Sequence, residues 1–86
     1  MLVRSHKRFD KQFQKLSPKL QEKVKNTIKE FRKNPYEAQL YNHPLRGRLE
    51  RKRAISVTSN VRIIFITDAH YEMITFLDVG THNQVY

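Results

Sequence analysis

The stretch RAISVTSNVRIIFITDAHYEMITFLDVGTHNQVY, residues 53–86, decides the fold. It is rich in β-branched and aromatic residues and is broken at Ser59–Asn60 and again at Asp68–Tyr71, the pattern of antiparallel strands joined by short turns. The register of the first hairpin follows from where an arginine must go. A two-residue turn at Ser59–Asn60 pairs Thr58 with Val61 and puts Arg62 on one face with Ile55, Val57 and Ile64. A three-residue loop, Thr58–Asn60, pairs Val57 with Val61. Ile55, Val57, Val61, Ile63 and Phe65 then share one apolar face, and Arg62 joins Ala54 and Ser56 on the other. A slip of one residue would bury the arginine, so the three-residue loop is predicted, with Asn60 in the left-handed conformation such loops use. Glu72–Val79 returns as the last strand and Gly80 ends it. Ile74 and Phe76 extend the first face; Met73, Leu77 and Val79 join Ile64 and Ile66 on the second.

The first face needs a cover, and the N-terminal half supplies one. Phe9, Phe13 and Leu16 have the spacing of one helical face, with Ser5 as a candidate cap. Ser17-Pro18 starts a second helix, since proline is tolerated in the first turn. That helix buries Leu20, Val24, Thr27 or Ile28, and Phe31, and stops at Asn34-Pro35. Leu2-Val3-Arg4 reads as an added edge strand. The predicted class is α+β in the order β-α-α-β-β-β, a helical hairpin packed on one face of a small, mostly antiparallel sheet. Residues 1–86 form a single domain. No second helix pair is left for the other face. Its apolar residues beside a basic rim suggest a contact surface for another molecule; a second copy, or a tail of the chain folding back, explains it equally.

Charge narrows the partners. Seventeen Lys and Arg against eight Asp and Glu give a net charge of +9, which favours a polyanion through counterion release. There is no cysteine, which excludes disulfides and thiolate metal sites and fits a cytoplasmic location. Basic residues follow Met1-Leu-Val at once, so no signal core is present, and no apolar run approaches the ~20 residues of a membrane span.

His43-Pro-Leu-Arg-Gly-Arg-Leu-Glu-Arg-Lys-Arg53 carries five cations after one histidine. A solvated loop explains this; a phosphate-contacting loop explains it too if the neighbouring sheet bears catalytic groups. The four histidines, His6, His43, His70 and His82, show neither HxH nor HExxH spacing and no adjacent carboxylate cluster, so no metal or other cofactor is expected. There is no Gly-rich phosphate loop and no nucleophile elbow. What remains is imidazole, guanidinium and phenol. RNA brings its own nucleophile, the 2′-OH, and can be cut by a base near that hydroxyl, an acid near the leaving 5′-oxygen, and cations around the phosphate. Histidine suits the proton transfers and arginine the phosphate.

Four short marks occur in order: His43-Pro44-Leu45-x-Gly47, Arg53 at a strand start, Arg62-Ile63-Ile64-Phe65, and Gly80-Thr81-His82 with a closing Val85-Tyr86. With the element order, they resemble the RelE/ParE superfamily of bacterial toxins over nearly the whole chain, on its YafQ/YoeB-like side. The resemblance implies a RelE-like toxin of a type II toxin–antitoxin system: a ribosome-dependent mRNA endonuclease, or mRNA interferase, that inhibits translation. Such enzymes cleave mRNA in the ribosomal A site by metal-independent 2′-OH attack. It also implies a cognate antitoxin covering the active face, with mRNA and rRNA as the other partners.

Carried over by residue, His82 and His43 match catalytic histidines, with His82 the first choice as acid or base. Arg62 matches the arginine that holds the scissile phosphate, and Tyr86 a C-terminal tyrosine used in stacking or proton transfer. Arg46, Arg48, Arg51, Lys52 and Arg53 are the implied RNA contacts. The chain departs from YafQ-like members at Ser56, where they have histidine, and at Asn60, where they have aspartate; neither replacement is a base at neutral pH. Two other readings stand beside this one: a ParE-like inhibitor of DNA gyrase, and an RNA- or ribosome-binding module with reduced nuclease activity.

Overall fold

A computed structural model describes residues 1–47 and 51–85. The elements are β1 (Leu2–Ser5), α1 (Lys7–Lys15), α2 (Pro18–Lys33), a 3-10 turn (Ala38–Leu40), β2 (His43–Pro44), β3 (Arg53–Ser56), β4 (Val61–Thr67), β5 (Met73–Thr81) and a final helical turn, α3 (His82–Val85). The sheet order is β1-β5-β4-β3-β2. β1 runs parallel to β5 and the other pairings are antiparallel. The α+β architecture with a helical hairpin on one sheet face is the one the sequence predicts.

α1 and α2 each start where a side chain accepts a hydrogen bond from a backbone N–H. Ser17 accepts from the Leu20 N–H at 3.2 Å, with Pro18 just inside the helix, and Asn34 caps the C-terminus. At α1 the expected cap is displaced by one residue. His6 is the N-cap, its Nδ1 accepting from the Arg8 N–H, while Ser5 ends β1 and donates to Asp10 at 2.6 Å. The hairpin's apolar side meets the sheet in the main core, where Phe9, Val24, Phe31, Leu40, Ile55, Val61, Ile63, Phe65, Ile74, Phe76 and Val79 are buried together. Phe31 is the hub, its ring 5.0 Å from Phe65 edge-on and 5.9 Å from Phe76. Truncating a fully buried phenylalanine of this kind costs about 3–5 kcal/mol.

The β3–β4 register is the predicted one: Ile55 faces Ile63 and Ser56 faces Arg62, and the Val57 N–H donates to the Val61 carbonyl at 2.8 Å. The loop is held differently. Asn60 does not take a positive φ; instead the Thr58 hydroxyl oxygen accepts from the Asn60 and Val61 N–H groups at 3.2 and 3.0 Å.

The second face differs from its reading in two ways. A bulge in β5 changes the alternation: Ile64 faces Asp78 but Phe65 faces Phe76, leaving Leu77 as the extra residue. Val79 therefore turns into the helix-covered core. The chain also covers part of this face itself. α3 folds back so that Val85 packs with Ala54 and Ile64, and Leu45 joins them. Gly80 does not end β5, which runs on to Thr81. Glycine is needed there because a Cβ would stand 2.7 Å from Gln84 Oε1 and 3.2 Å from Val85 Cγ1.

Past the end of β1, side chains from α1 occupy the edge of β5. Gln12 Oε1 accepts from the Val79 N–H at 2.9 Å, and Arg8 grips Asp78 with Nε and an Nη at 2.6 and 3.0 Å. Burial pushes the Asp78 carboxyl up, but the hydrogen bonds from Arg8 and Gln12 and the charges of Arg8 and Lys52 outweigh it and hold the group below its ordinary value. Among the described residues, no helix is long and apolar enough to cross a membrane.

Candidate active site

The second face is where the sheet gathers its polar side chains. His43 on β2 faces Ala54 on β3, Ser56 on β3 faces Arg62 on β4, and Arg62 faces Gly80 on β5. Because alternate residues of a strand share a face, this register sets His43, Ser56 and Arg62 on one surface. They line one open groove of about 430 Å³ together with Gln39, Tyr41 and the Val57–Ser59 turn. On the β5 side the groove is bounded by α3, whose Gln84 and Val85 lie close over the Gly80 opposite Arg62.

His43 is oriented from behind. Its Nδ1 lies 2.7 Å from the Tyr41 carbonyl oxygen. A carbonyl can only accept, so Nδ1 carries the proton in that bond and the neutral ring keeps its lone pair on Nε2. Tyr41 can aim this carbonyl because it is left-handed, at φ 51° and ψ 45°, closing the 3-10 turn. For a tyrosine that conformation is uncommon and costs about 1 kcal/mol or more, and the surrounding contacts hold it. Asn42, between the two, donates to the Pro35 carbonyl at 2.9 Å and to the Tyr71 hydroxyl at 3.1 Å, and accepts from Arg53 Nε at 2.8 Å. The segment that presents His43 is thus tied to the end of α2, to the β4–β5 turn and to β3.

The remaining sequence-predicted residues separate into groups. His82 is exposed and opens α3, two residues past the Gly80 that faces Arg62. It is at the same end of the sheet as the groove but is not one of the residues that line it. Arg46 is exposed on the loop after β2. Arg53 lies away from this groove: it shares the parity of Ile55, and its guanidinium is held by Asn42 on the helix side of the sheet. Arg51, Lys52 and Arg53 line a separate pocket beside Tyr36 and Tyr71. Arg48 and Tyr86 lie outside the described residues. Ser56 is in the groove wall, whereas Asn60 is exposed in the turn and outside it.

Sequence reasoning missed Tyr41 and Asn42. Tyr41 is 75% exposed at the groove's lip, a large aromatic surface with no core to join. The adjacency Tyr-Asn-His was visible in the sequence, but nothing in it signals the left-handed turn that makes the three act together.

No family model and no curated relative matches the sequence. The fold, by contrast, matches solved structures along its whole length. YafQ from Escherichia coli strain BL21(DE3) superposes with a TM-score of 0.83 at 18% identity, over 98% of this chain and 96% of that one. A YoeB/ParE toxin from Agrobacterium tumefaciens gives 0.78 at 14%, over 95% and 99%. The E. coli DinJ–YafQ complex gives 0.77 at 18%, over 98% and 96%. The chain therefore has the fold of RelE/ParE-superfamily toxins, as its motifs suggested.

Proposed function

We propose that this protein is the toxin of a type II toxin–antitoxin pair and that it cleaves mRNA on the ribosome, blocking translation. The observation that carries the reading is the shared groove: an imidazole with Nε2 directed by a backbone contact, and an arginine fixed by strand register, on the same open surface. Arg62 would hold the non-bridging oxygens of the scissile phosphate. His43 Nε2 would take the proton of the 2′-hydroxyl as its oxygen attacks phosphorus. The P–O5′ bond then breaks, the leaving oxygen receives a proton, and the products are a 2′,3′-cyclic phosphate and a 5′-hydroxyl. His82 is assigned the second proton transfer, and Tyr86 a supporting role in stacking or proton transfer. The +9 charge supports docking on a large RNA surface, with Arg46 and Arg48 among the contacts.

An antitoxin partner is supported by the complex of the similarly folded YafQ with DinJ. The half-covered second face offers it Leu2, Ile66 and Met73, exposed by 54, 39 and 51%. Leu2 pairs with Met73 in register, so these side chains adjoin.

Primer extension on a defined mRNA in a translation reaction tests the proposal. Breaks in step with the reading frame, lost in His43→Ala, Arg62→Ala and His82→Ala, are the expected result. An intact message with translation blocked would replace cleavage by simple ribosome binding. An intact message with unimpaired translation would overturn the reading and point to gyrase, measured by supercoiling.

A further inference from the structure

The pocket on the other side of the β2 edge has a composition the cleavage chemistry does not use. It has a volume of about 290 Å³, and Tyr36, Arg51, Lys52, Arg53, Asp68 and Tyr71 line it, with Pro44 at its rim. Two cations, Arg51 and Arg53, stand beside one carboxylate, while the Lys52 charge acts on Asp78 across the sheet; the carboxylate is engaged, since Asp68 Oδ1 accepts from the Glu72 and Met73 N–H groups at 2.8 Å each. The pocket thus presents net positive charge. Arg53 is pre-oriented, since Asn42 takes its Nε and leaves the two Nη groups without a partner among the described residues. A guanidinium held this way offers donors for a phosphate at little entropic cost.

Beside the cations stands an aromatic platform. Tyr36 is 65% exposed, braced edge-on by Tyr71 at a centroid distance of 5.1 Å and 62°. Its backbone N–H donates to Asn34 Oδ1 at 3.0 Å. At the lip, Arg51 has a φ of 75°, a conformation an arginine rarely adopts and that must be held by its surroundings. The Leu45 N–H to Lys52 carbonyl bond, 2.9 Å, closes the loop there. A fixed guanidinium, a second arginine at the lip and a braced exposed ring are the parts of a single-strand nucleic-acid subsite, where the ring stacks a base and the cations follow the backbone.

Location links this pocket to the groove. His43 and Pro44 are consecutive residues of β2, the outermost strand, so their side chains leave on opposite faces. One faces the groove and the other borders the pocket. We propose that the Tyr36–Arg53 pocket binds a nucleotide of the same RNA strand, a few positions from the phosphate held by Arg62, with the strand crossing the two-residue β2 edge. This rests on the RNA-cleaving reading.

Binding of a fluorescein-labelled 2′-O-methyl hexaribonucleotide, which cannot undergo 2′-OH attack, tests it by anisotropy across a salt series, alongside the primer-extension assay. Tyr36→Ala is expected to weaken binding about 5- to 150-fold, the range of base–aromatic stacking, with an unchanged salt slope. Tyr36→Trp should restore affinity. Arg51→Ala should flatten the slope by about one unit, as expected for one phosphate contact. Tyr36 is exposed, and an unchanged Tm for its variants excludes misfolding as the cause. Wild-type affinity in Tyr36→Ala, or no hexamer binding by the wild type, overturns the subsite while His43-dependent cleavage in the parallel assay stands. Capture of a polyglutamate peptide in competition with the hexamer, lost in Arg51→Ala but insensitive to Tyr36→Ala, also overturns it and assigns the pocket to an acidic polypeptide. Loss of both cleavage and RNA binding in the wild type removes the parent reading as well.

Discussion

The two faces of this sheet are built from the same strands and do opposite things. Among the described residues, the helix-covered face and the elements packed on it bury eleven in one continuous cluster. The other has a small apolar plug of Ala54, Ile64 and Val85, with Leu45 beside it, and around the plug stand His43, Ser56 and Arg62. Alternation along a strand forces this pairing, since each residue buried on one side has a neighbour displayed on the other. A mutation on the first face should therefore change how much protein is folded. One on the second should change what the folded protein can do.

That contrast can be broken at several points. The largest effect is expected at the groove, where Arg62→Ala and His43→Ala should lower mRNA cleavage about 10²- to 10⁴-fold while leaving Tm within a few degrees. A comparable loss of stability would mean these residues are structural. Across the sheet, Phe31→Ala should lose about 3–5 kcal/mol in a urea titration, with near-normal cleavage by the fraction that remains folded. Gly80→Ala sits between the two faces. Its Cβ would meet Gln84 and Val85, so a loss of about 1–3 kcal/mol is expected from overpacking. Because α3 must shift, cleavage should fall too, and normal activity would show that the turn's position does not matter.

The smallest effect belongs to Asp78. Its folded pKa lies below the ordinary value of 3.8, so its contribution is present above that value. It is lost as pH falls through the depressed folded pKa. Arg8 is half exposed, and solvent screening limits the pair to about 1 kcal/mol. Asp78→Asn should lower the urea midpoint slightly at pH 7 and flatten the acid limb below about pH 4. An unaltered acid limb would assign that limb to other carboxylates.

Much of this arrangement was legible in the sequence, for physical reasons that can be named. The β3–β4 register was readable because one alternative buried Arg62. The β5 bulge was not, because Leu77 is apolar and fits either face, so the change of parity at Val79 leaves no mark. Parity also carried a signal that went unused: Arg53 shares the face of Ile55, which places it on the helix side, away from His43. Motif resemblance alone put His43 and Arg62 in one site; the local pattern reads the His43 segment as a connecting loop and gives no sign of the two-residue strand β2 that carries it. The left-handed Tyr41 and the three bonds of Asn42 depend on tertiary neighbours that no local pattern encodes.

The parallel pairing of β1 with β5 has a consequence in time. Leu2 is hydrogen-bonded in register beside Met73, and β5 occupies the sheet between β1 and β4. During synthesis the first four strands emerge without the one that joins them, and both α1 and β1 wait for it. Long-range closure of this kind is slow. The nascent chain thus has neither a complete core nor a finished second face until β5 and α3 have left the exit tunnel.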